Sequence, residues 1–176
     1  MKRSIEPSTI DGSIRAQPSK SMMQRAVAAS LLCKNRVKIL NPSFCSDARA
    51  ALRIAENLGA AILCEPDSVT INGSLNPEET VLHCGESGLC MRMFAPIAAL
   101  RDRELILTGD GSLQSRPVSM VVEPLRELGC FVATNGGHPP IRVRGPIRGG
   151  EVHVDGSVSS QFLTGLLLAL PVYWMY

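Results

Sequence analysis

The chain has 176 residues, of which 45% are hydrophobic and 19% are charged, and its formal net charge is +2 at pH 7. This composition is typical of a globular protein and excludes a disordered one, and the length allows one good core or two small ones. Basic residues are dispersed and only 4% of the residues are aromatic, so no nucleic-acid partner is indicated. The apolar end, residues 162–176, contains Gly and Pro and is shorter than the roughly 20 apolar residues that a bilayer requires. We expect a buried helix there and no membrane partner.

Cysteine and histidine spacing gives no sign of a metal site. The six cysteines include no CxxC pair and the three histidines lie far apart, so we expect no metal ligands. Since no signal peptide is evident, we expect reduced thiols in the cytoplasm, most of them as small buried side chains. Both tyrosines and the single tryptophan crowd into residues 173–176, where a complete domain seldom stops, and we therefore expect a truncated chain.

The first predicted element is a helix whose start, residues 18–25, gathers a lysine, two hydroxyl groups and an arginine. The free N–H groups of a helix start and the positive end of its dipole attract anions. Lys20 adds a point charge beside Ser21, and Arg25 adds a planar fork that can hold phosphate or carboxylate. The helix continues through good helix formers at residues 26–32 and is expected to pack on a sheet. This turn indicates a site for a small phosphorylated ligand; the alternative is a surface helix start with scattered charges.

The elements that follow occur twice, at an offset of about 70 residues. Each copy has a strand, a helix that ends in a glycine, and a hairpin. In the first copy they are predicted at residues 37–40, 47–58, and 61–63 with 69–71. In the second copy they are predicted at residues 105–108, 118–128, and 131–133 with 141–143. The glycines that end the helices are Gly59 and Gly129, and the turn-forming pairs are Asn72-Gly73 and Gly136-Gly137. A third copy begins at Gly150 and continues into one further helix.

Units that pack around a common axis would bring their helix starts together. These starts are small and polar: Ser19-Lys20-Ser21, Glu86-Ser87-Gly88 and Ser159-Ser160-Gln161. The serines of the last start could instead be N-caps, whereas the Gln161 amide both donates and accepts. Arg116, which precedes Pro117, either reaches an anion at the helix ends or is a solvated loop arginine. Arg92 is either a second anion contact or an internal partner for Glu86. A doubly wound nucleotide-binding fold is disfavoured because GxGxxG and GxxxxGK[ST] are absent.

Three motifs distinguish the chain. They are Lys20-Ser21-x-x-x-Arg25, Leu107-Thr108-Gly109-Asp110 followed by Arg116-Pro117, and the stretch Val154-Asp155-Gly156-Ser157-Val158-Ser159-Ser160-Gln161-Phe162-Leu163. Together they resemble the 5-enolpyruvylshikimate-3-phosphate synthase family over residues 10–170, and the last motif is nearly its signature. The resemblance implies an α/β (α+β) fold with βαβαββ units repeated around a common core, as in one domain of the enolpyruvyl transferase inside-out α/β barrel. It implies a single incomplete domain at 1–176, with unit one at about 10–75, unit two at about 78–145, a truncated unit three at 149–176, and the second domain absent.

The resemblance also implies a reaction, in which the enolpyruvyl group of phosphoenolpyruvate moves to the 5-hydroxyl of shikimate 3-phosphate and phosphate leaves. No metal and no organic cofactor take part in it. By position in the motifs, shikimate 3-phosphate would contact Lys20, Ser21, Arg25, Ser159, Ser160 and Gln161. Phosphoenolpyruvate would contact Lys20, Gly88, Arg116 and Gln161. No catalytic residue is expected in this chain, because the groups that transfer protons belong to the family's second domain, which a separate chain could carry.

The chain departs from the family at the second helix start. Many members have Gly-Asn-Ala-Gly-Thr-Ala-Met-Arg-Pro, whereas residues 85–93 are Gly-Glu-Ser-Gly-Leu-Cys-Met-Arg-Met. A glutamate that faced an anionic ligand would repel it, so Glu86 is expected to point away or to pair with a cation. Two other functions stay open: a non-catalytic substrate-binding or complementing half, and UDP-N-acetylglucosamine enolpyruvyl transferase, whose first helix opens with Lys-Asn. For the isolated chain we expect little or no turnover.

Overall fold

The computed structural model describes residues 3–4, 6–157 and 159–173, the last residue by its backbone alone. It contains five α-helices: α1 (Lys20–Leu32), α2 (Ser46–Asn57), α3 (Gly88–Ala98), α4 (Val122–Glu127) and α5 (Ser160–Tyr173). Its seven strands are β1 (Val37–Leu40), β2 (Ala61–Glu65), β3 (Ser68–Asn72), β4 (Val81–His83), β5 (Leu105–Thr108), β6 (Phe131–Asn135) and β7 (His138–Arg144). Two short 3-10 helices lie before α4, at Gly111–Ser115 and Ser119–Val121.

The strands form two sheets whose elements follow the same order along the chain. The first sheet has the order β1-β3-β2 and is antiparallel, with Val37 opposite Ile71. The second sheet has the order β4-β5-β7-β6, and its β5-β7-β6 part repeats the arrangement of the first. Strand β4 pairs with β5 in parallel. In the first sheet, no described strand pairs with β1 in the corresponding position. The predicted α/β class and the repetition of its elements are therefore confirmed.

Helix α3 lies at the centre of the molecule. Every one of its residues except Arg92 is buried. Helix α5 packs against α3 so closely that a Cβ built on Gly165 would lie 2.4 Å from the Met93 carbonyl oxygen. The side of α5 that faces the core carries Phe162, Leu166 and Ala169, while its outer side leaves leucines exposed. The predicted buried helix is thus buried on one face, and residues 174–176 of that prediction lie outside the described residues. None of the helices that the structure describes is long and apolar enough to cross a membrane.

Glycines follow the ends of α2 and α4 as predicted. Gly59 follows α2 with a φ of +107° and Gly129 follows α4 with a φ of +82°, a left-handed conformation that side chains disfavour. Gly136 and Gly137 form the turn between β6 and β7, with φ values of +57° and +82°. Gly73 has a different role from the one predicted. The first hairpin turns before β3, and a Cβ on Gly73 would lie 2.4 Å from the Ser30 carbonyl oxygen, so this glycine allows the chain to pass the end of α1.

Two other predictions differ from the structure. The helix expected at residues 118–128 is shorter, because α4 begins at Val122. Pro124 has no N–H group and is tolerated best in the first turn of a helix, which is where a start at Val122 places it. The cysteines, expected to be mostly buried, divide evenly: Cys84, Cys90 and Cys130 are buried, and the other three are exposed or half-buried. All six are free thiols.

Candidate functional site

The starts of α1, α3 and α5 meet at a cavity of about 350 Å³. Five residues that the sequence predicted for the site line this cavity: Lys20, Ser21, Gly88, Arg116 and Gln161. Six more complete its wall: Gln24, Asp47, Glu86, Ser87, Leu89 and Ser112. Among the described residues, the other three predicted ones, Arg25, Ser159 and Ser160, are not part of this lining.

The start of α3 provides backbone donors to the cavity. The Ser87 hydroxyl oxygen caps the helix by accepting from the Cys90 N–H at 3.2 Å. Gly88 and Leu89 are the first two residues of the helix, and their N–H groups have no intrahelical acceptor. The positive end of the helix dipole adds to the attraction for an anion at this point.

Two guanidinium groups lie beside Gly88. A Cβ built on this glycine would be 3.2 Å from Nη1 of Arg92 and 3.4 Å from Nη1 of Arg116. The absence of a side chain therefore leaves room for a ligand atom between the helix start and two positive charges. The chemistry of this corner of the cavity suits a phosphate or a carboxylate.

Arg92 is tied to two neighbouring elements. Its Nη1 donates to Oε1 of Gln161 at 2.8 Å, and its Nη2 donates to the Pro117 carbonyl oxygen at 2.9 Å. Burial and the charge of Arg116 lower the pKa of Arg92. The pairing with Glu86 considered from the sequence is therefore not formed. Because Arg92 occupies the carbonyl oxygen of Gln161, the side-chain NH2 group of Gln161 is the part left to donate to a ligand.

Glu86 belongs to the residues that line the cavity and its carboxylate accepts from Ser112, so within the described residues the predicted pairing with a cation is not formed. Its Oε2 accepts from both the backbone N–H and the hydroxyl of Ser112, each at 3.2 Å. The neighbouring Gly111 has a φ of +52°, and a Cβ there would lie 2.5 Å from the same oxygen. The carboxylate fits because residue 111 is glycine and because Ser112 supplies two donors in place of a cation. Ser112 also accepts from Nη2 of Arg116 at 3.1 Å, which links Glu86 to Arg116.

Lys20 forms an ion pair at the cavity edge. Its Nζ lies 2.9 Å from Oδ2 of Asp47, in the first turn of α2. The hydrogen bond to Asp47, and then the charge of that carboxylate, raise the pKa of Lys20. Asp47, Gln24 and Ser112 line the cavity although their sequence context did not predict it. Helical periodicity carries a signal for Gln24, which follows Lys20 by one turn of α1, but no local pattern links Asp47 or Ser112 to the site.

The remaining predicted residues lie at the starts of α1 and α5. Arg25 is half-buried, and its Nη1 donates to the Ser21 carbonyl oxygen at 3.1 Å, which turns its guanidinium toward the start of α1. The Ser159 hydroxyl oxygen accepts from the Gln161 N–H at 3.3 Å, the geometry of a cap. Ser160 is the first residue of α5 and is exposed.

Comparison with known protein families identifies the family of this chain. The model of the family EPSP synthase (3-phosphoshikimate 1-carboxyvinyltransferase) matches residues 5–174. The chain belongs to the EPSP synthase family. It is 40% identical over 176 residues to the 3-phosphoshikimate 1-carboxyvinyltransferase of Methanocorpusculum labreanum, and 39% identical over 171 residues to that of Korarchaeum cryptofilum. The family predicted from the three motifs is confirmed.

The similarity to these relatives covers nearly all of this chain but less than half of theirs. The two relatives match over 98% and 94% of this chain and over 42% and 40% of their own length. The structure of EPSP synthase from Acinetobacter baumannii superposes with a TM-score of 0.80 at 27% identity, over 90% of this chain and 37% of that one. This EPSP synthase family chain thus spans about two fifths of the length of the relatives that it matches.

Proposed function

We propose that this chain forms the half-site in which an EPSP synthase binds shikimate 3-phosphate and phosphoenolpyruvate. In the complete reaction the 5-hydroxyl of shikimate 3-phosphate gives up its proton and its oxygen bonds to C2 of phosphoenolpyruvate, while the C2=C3 double bond becomes single and C3 takes up a proton. The tetrahedral intermediate then loses phosphate and a C3 proton, which leaves the enolpyruvyl ether. The observation that supports this function is the convergence of Lys20, Ser21, Gly88, Arg116 and Gln161 on one cavity at three helix starts.

The proposed division of the ligands follows the motifs. Shikimate 3-phosphate contacts Lys20, Ser21, Arg25, Ser159, Ser160 and Gln161. Phosphoenolpyruvate contacts Lys20, Gly88, Arg116 and Gln161. The Arg116 guanidinium lies 3.4 Å from the Cβ position of Gly88, which favours a phosphate or carboxylate between the arginine and the N–H groups of α3. The carboxylate of Glu86 in the same wall opposes this binding, and its hydrogen bonds from Ser112 reduce that repulsion.

We further propose that this chain binds substrates without turning them over. It spans about two fifths of its relatives' length, so turnover would need groups that correspond to the rest of that length, whether on the same polypeptide or on a second one. Within the chain we propose the unit boundaries 10–75, 78–145 and 149–176. The six free thiols support a cytoplasmic location. The family match favours shikimate 3-phosphate over a UDP-sugar as the acceptor.

The test is calorimetric titration of shikimate 3-phosphate, and separately of phosphoenolpyruvate, into the 176-residue chain. The variants Arg25→Ala and Arg116→Met each remove one charged donor from the proposed contacts of a different ligand. Loss of a hydrogen bond to a charged group costs about 1.5–3 kcal/mol, so we expect affinity losses of about 10-fold to 100-fold. Arg25→Ala should weaken shikimate 3-phosphate binding, and Arg116→Met should weaken phosphoenolpyruvate binding.

The matched control is Arg36→Met. Arg36 is an exposed arginine beyond the opposite end of α1, about 20 Å along the helix from its start. Its replacement should leave both affinities unchanged, since only the total charge changes. Equal weakening by all three variants would indicate non-specific attraction to the positive charge of the chain and would contradict the proposal. Phosphate release by the chain alone, at a rate typical of a complete enzyme, would contradict the half-site.

A further inference from the structure

Two buried side-chain polar atoms in the described residues have no hydrogen-bond partner, and both belong to the neighbourhood of the cavity. They are Nε2 of Gln24 and Nε of Arg92. Folded proteins pair nearly all buried polar atoms, because an unpaired one forfeits its hydrogen bonds to water. Arg92 has its other two nitrogens engaged, with Gln161 and Pro117. In Gln24 both N–H bonds of the amide nitrogen are left without an acceptor, and no step of the proposed function uses them.

The other half of the Gln24 amide is well bound. Gln24 is 0% exposed, and its Oε1 accepts from the Ser87 hydroxyl at 3.1 Å and from the Cys90 thiol at 3.7 Å. These contacts connect α1 to the first turn of α3. They also turn the negative end of the amide toward the α3 cap, so that its NH2 group is the end left for the cavity wall, where Gln24 lies.

We propose that Gln24 is a further binding residue of this site. Its side-chain NH2 group donates to the anionic group held at the start of α3, directly or through one ordered water. This inference rests on the proposed function and adds a donor that the motifs did not indicate. The donor selects for an anion or a carbonyl oxygen, because a ligand that presents an N–H there would face another donor. A donor without a protein partner among the described residues thus becomes a paired one when the ligand is bound.

A purely structural role is the competing explanation, and the two roles can be separated by substitution. Gln24→Met keeps the length of the side chain and removes the whole amide. Gln24→Glu keeps oxygen acceptors for Ser87 and Cys90, and therefore the link between α1 and α3. The ionised form of that variant places a negative charge where the donor was. The control is Ser30→Ala, which removes another buried polar group of α1. The Ser30 hydroxyl donates to the Ala26 carbonyl oxygen at 2.7 Å.

The experiment titrates inorganic phosphate and shikimate 3-phosphate into the 176-residue chain and its three variants, with the unfolding midpoint of each variant measured in parallel. We expect Gln24→Met to weaken phosphate binding by about 10-fold to 100-fold, the range that one lost hydrogen bond to an anion predicts. Relative to the unmodified chain at the same pH, Gln24→Glu should lose phosphate affinity progressively as the pH rises and the buried carboxyl ionises. Ser30→Ala should bind both anions like the unmodified chain, whatever its midpoint.

The outcomes separate this inference from the proposed function. Unchanged phosphate and shikimate 3-phosphate binding in Gln24→Met would overturn the role of Gln24 and leave the half-site intact. Phosphate binding that depends on Gln24, without any binding of shikimate 3-phosphate, would support the role of Gln24 and contradict the proposed substrate. Weakening in Gln24→Met that Gln24→Glu restores at every pH would assign Gln24 to the α1–α3 link alone and would also overturn the inference. A folded chain that binds neither anion would overturn both.

Discussion

Replacing Gly165 by alanine tests the packing that carries Gln161 to the cavity. A Cβ at this position would lie 2.4 Å from the carbonyl oxygen and 2.9 Å from the Cα of Met93, and 2.7 Å from Cγ of Pro96. Ordinary contacts of a Cβ begin at about 3.4 Å, so the overlap is about 1 Å. The atoms met are mainly backbone atoms of α3, which cannot rotate away, and every residue of α3 except Arg92 is buried. Helix α5 must therefore move.

The size of the effect follows from two opposed contributions. Overpacking of a filled core costs about 1–3 kcal/mol, whereas alanine is favoured over glycine within a helix by about 1 kcal/mol. Because the overlap is mainly with backbone atoms, we expect the upper part of that cost, about 2–3 kcal/mol, so that Gly165→Ala lowers the free energy of unfolding by about 1–2 kcal/mol although alanine is the better helix former. For a chain of this size that loss lowers the unfolding midpoint by about 2–8 °C. Gln161 lies one turn before Gly165, so the movement should also lengthen its 2.8 Å hydrogen bond with Arg92 and weaken anion binding.

The assay is urea unfolding followed by circular dichroism at a helix wavelength, together with phosphate titration. Gly156→Ala is the matched control, because a Cβ there would meet only the end of the Leu163 side chain, at 4.0 Å. The control should be as stable as the unmodified chain or slightly more stable, since alanine reduces the entropy of the unfolded chain. If Gly165→Ala were as stable as Gly156→Ala, α5 would not pack on α3 as described, and the reasoning would be refuted.

Three further predictions concern thiols and charges. In the folded chain iodoacetamide should label only the exposed or half-buried thiols, which are those of Cys33, Cys45 and Cys64. Mass spectrometry of the digested protein identifies the labelled residues. The buried thiols should react only after unfolding, because burial raises the pKa of Cys90 to about 12 and of Cys130 to about 11. Asp47→Asn should destabilise the chain by less than about 1 kcal/mol at neutral pH, because Lys20 is more than half exposed. Because the pKa of Lys20 is raised in the folded chain, the stability difference between the unmodified chain and Asp47→Asn should shrink as the pH rises above the ordinary lysine value of 10.5. Urea unfolding measures this difference, and a difference that grew above that pH would contradict the ion pair. Glu86→Gln should strengthen phosphate binding in calorimetry by about 3-fold to 10-fold, since it removes a negative charge from the cavity wall; weaker binding would show that the carboxylate supports the site through Ser112.

The sequence predicted the elements whose signals are local. Helix α1 has a start of small polar residues and a body of helix formers, and the glycines after α2 and α4 end those helices in the conformation expected. Strand β4 was missed because three residues give no periodicity, and it exists only through parallel pairing with β5. The predicted start of α4 at residue 118 was too early, because it placed Pro124 beyond the first turn, where the missing N–H group costs a hydrogen bond.

For the site, the sequence by itself determined which chemistry is present: cations and small polar residues at three helix starts, in motifs that resemble one family. Only the tertiary structure decided which of these groups are already engaged with one another. Lys20 pairs with Asp47 across two helices, Arg92 holds the carbonyl oxygen of Gln161 from 69 residues away, and the oxygen of Gln24 meets Ser87 from 63 residues away. A residue type specifies how many donors and acceptors a side chain has, whereas the direction they face depends on partners brought close only by folding. That is why five lining residues at the helix starts and beside Pro117 could be predicted from the sequence, whereas the other lining residues and the donors left free for a ligand could not.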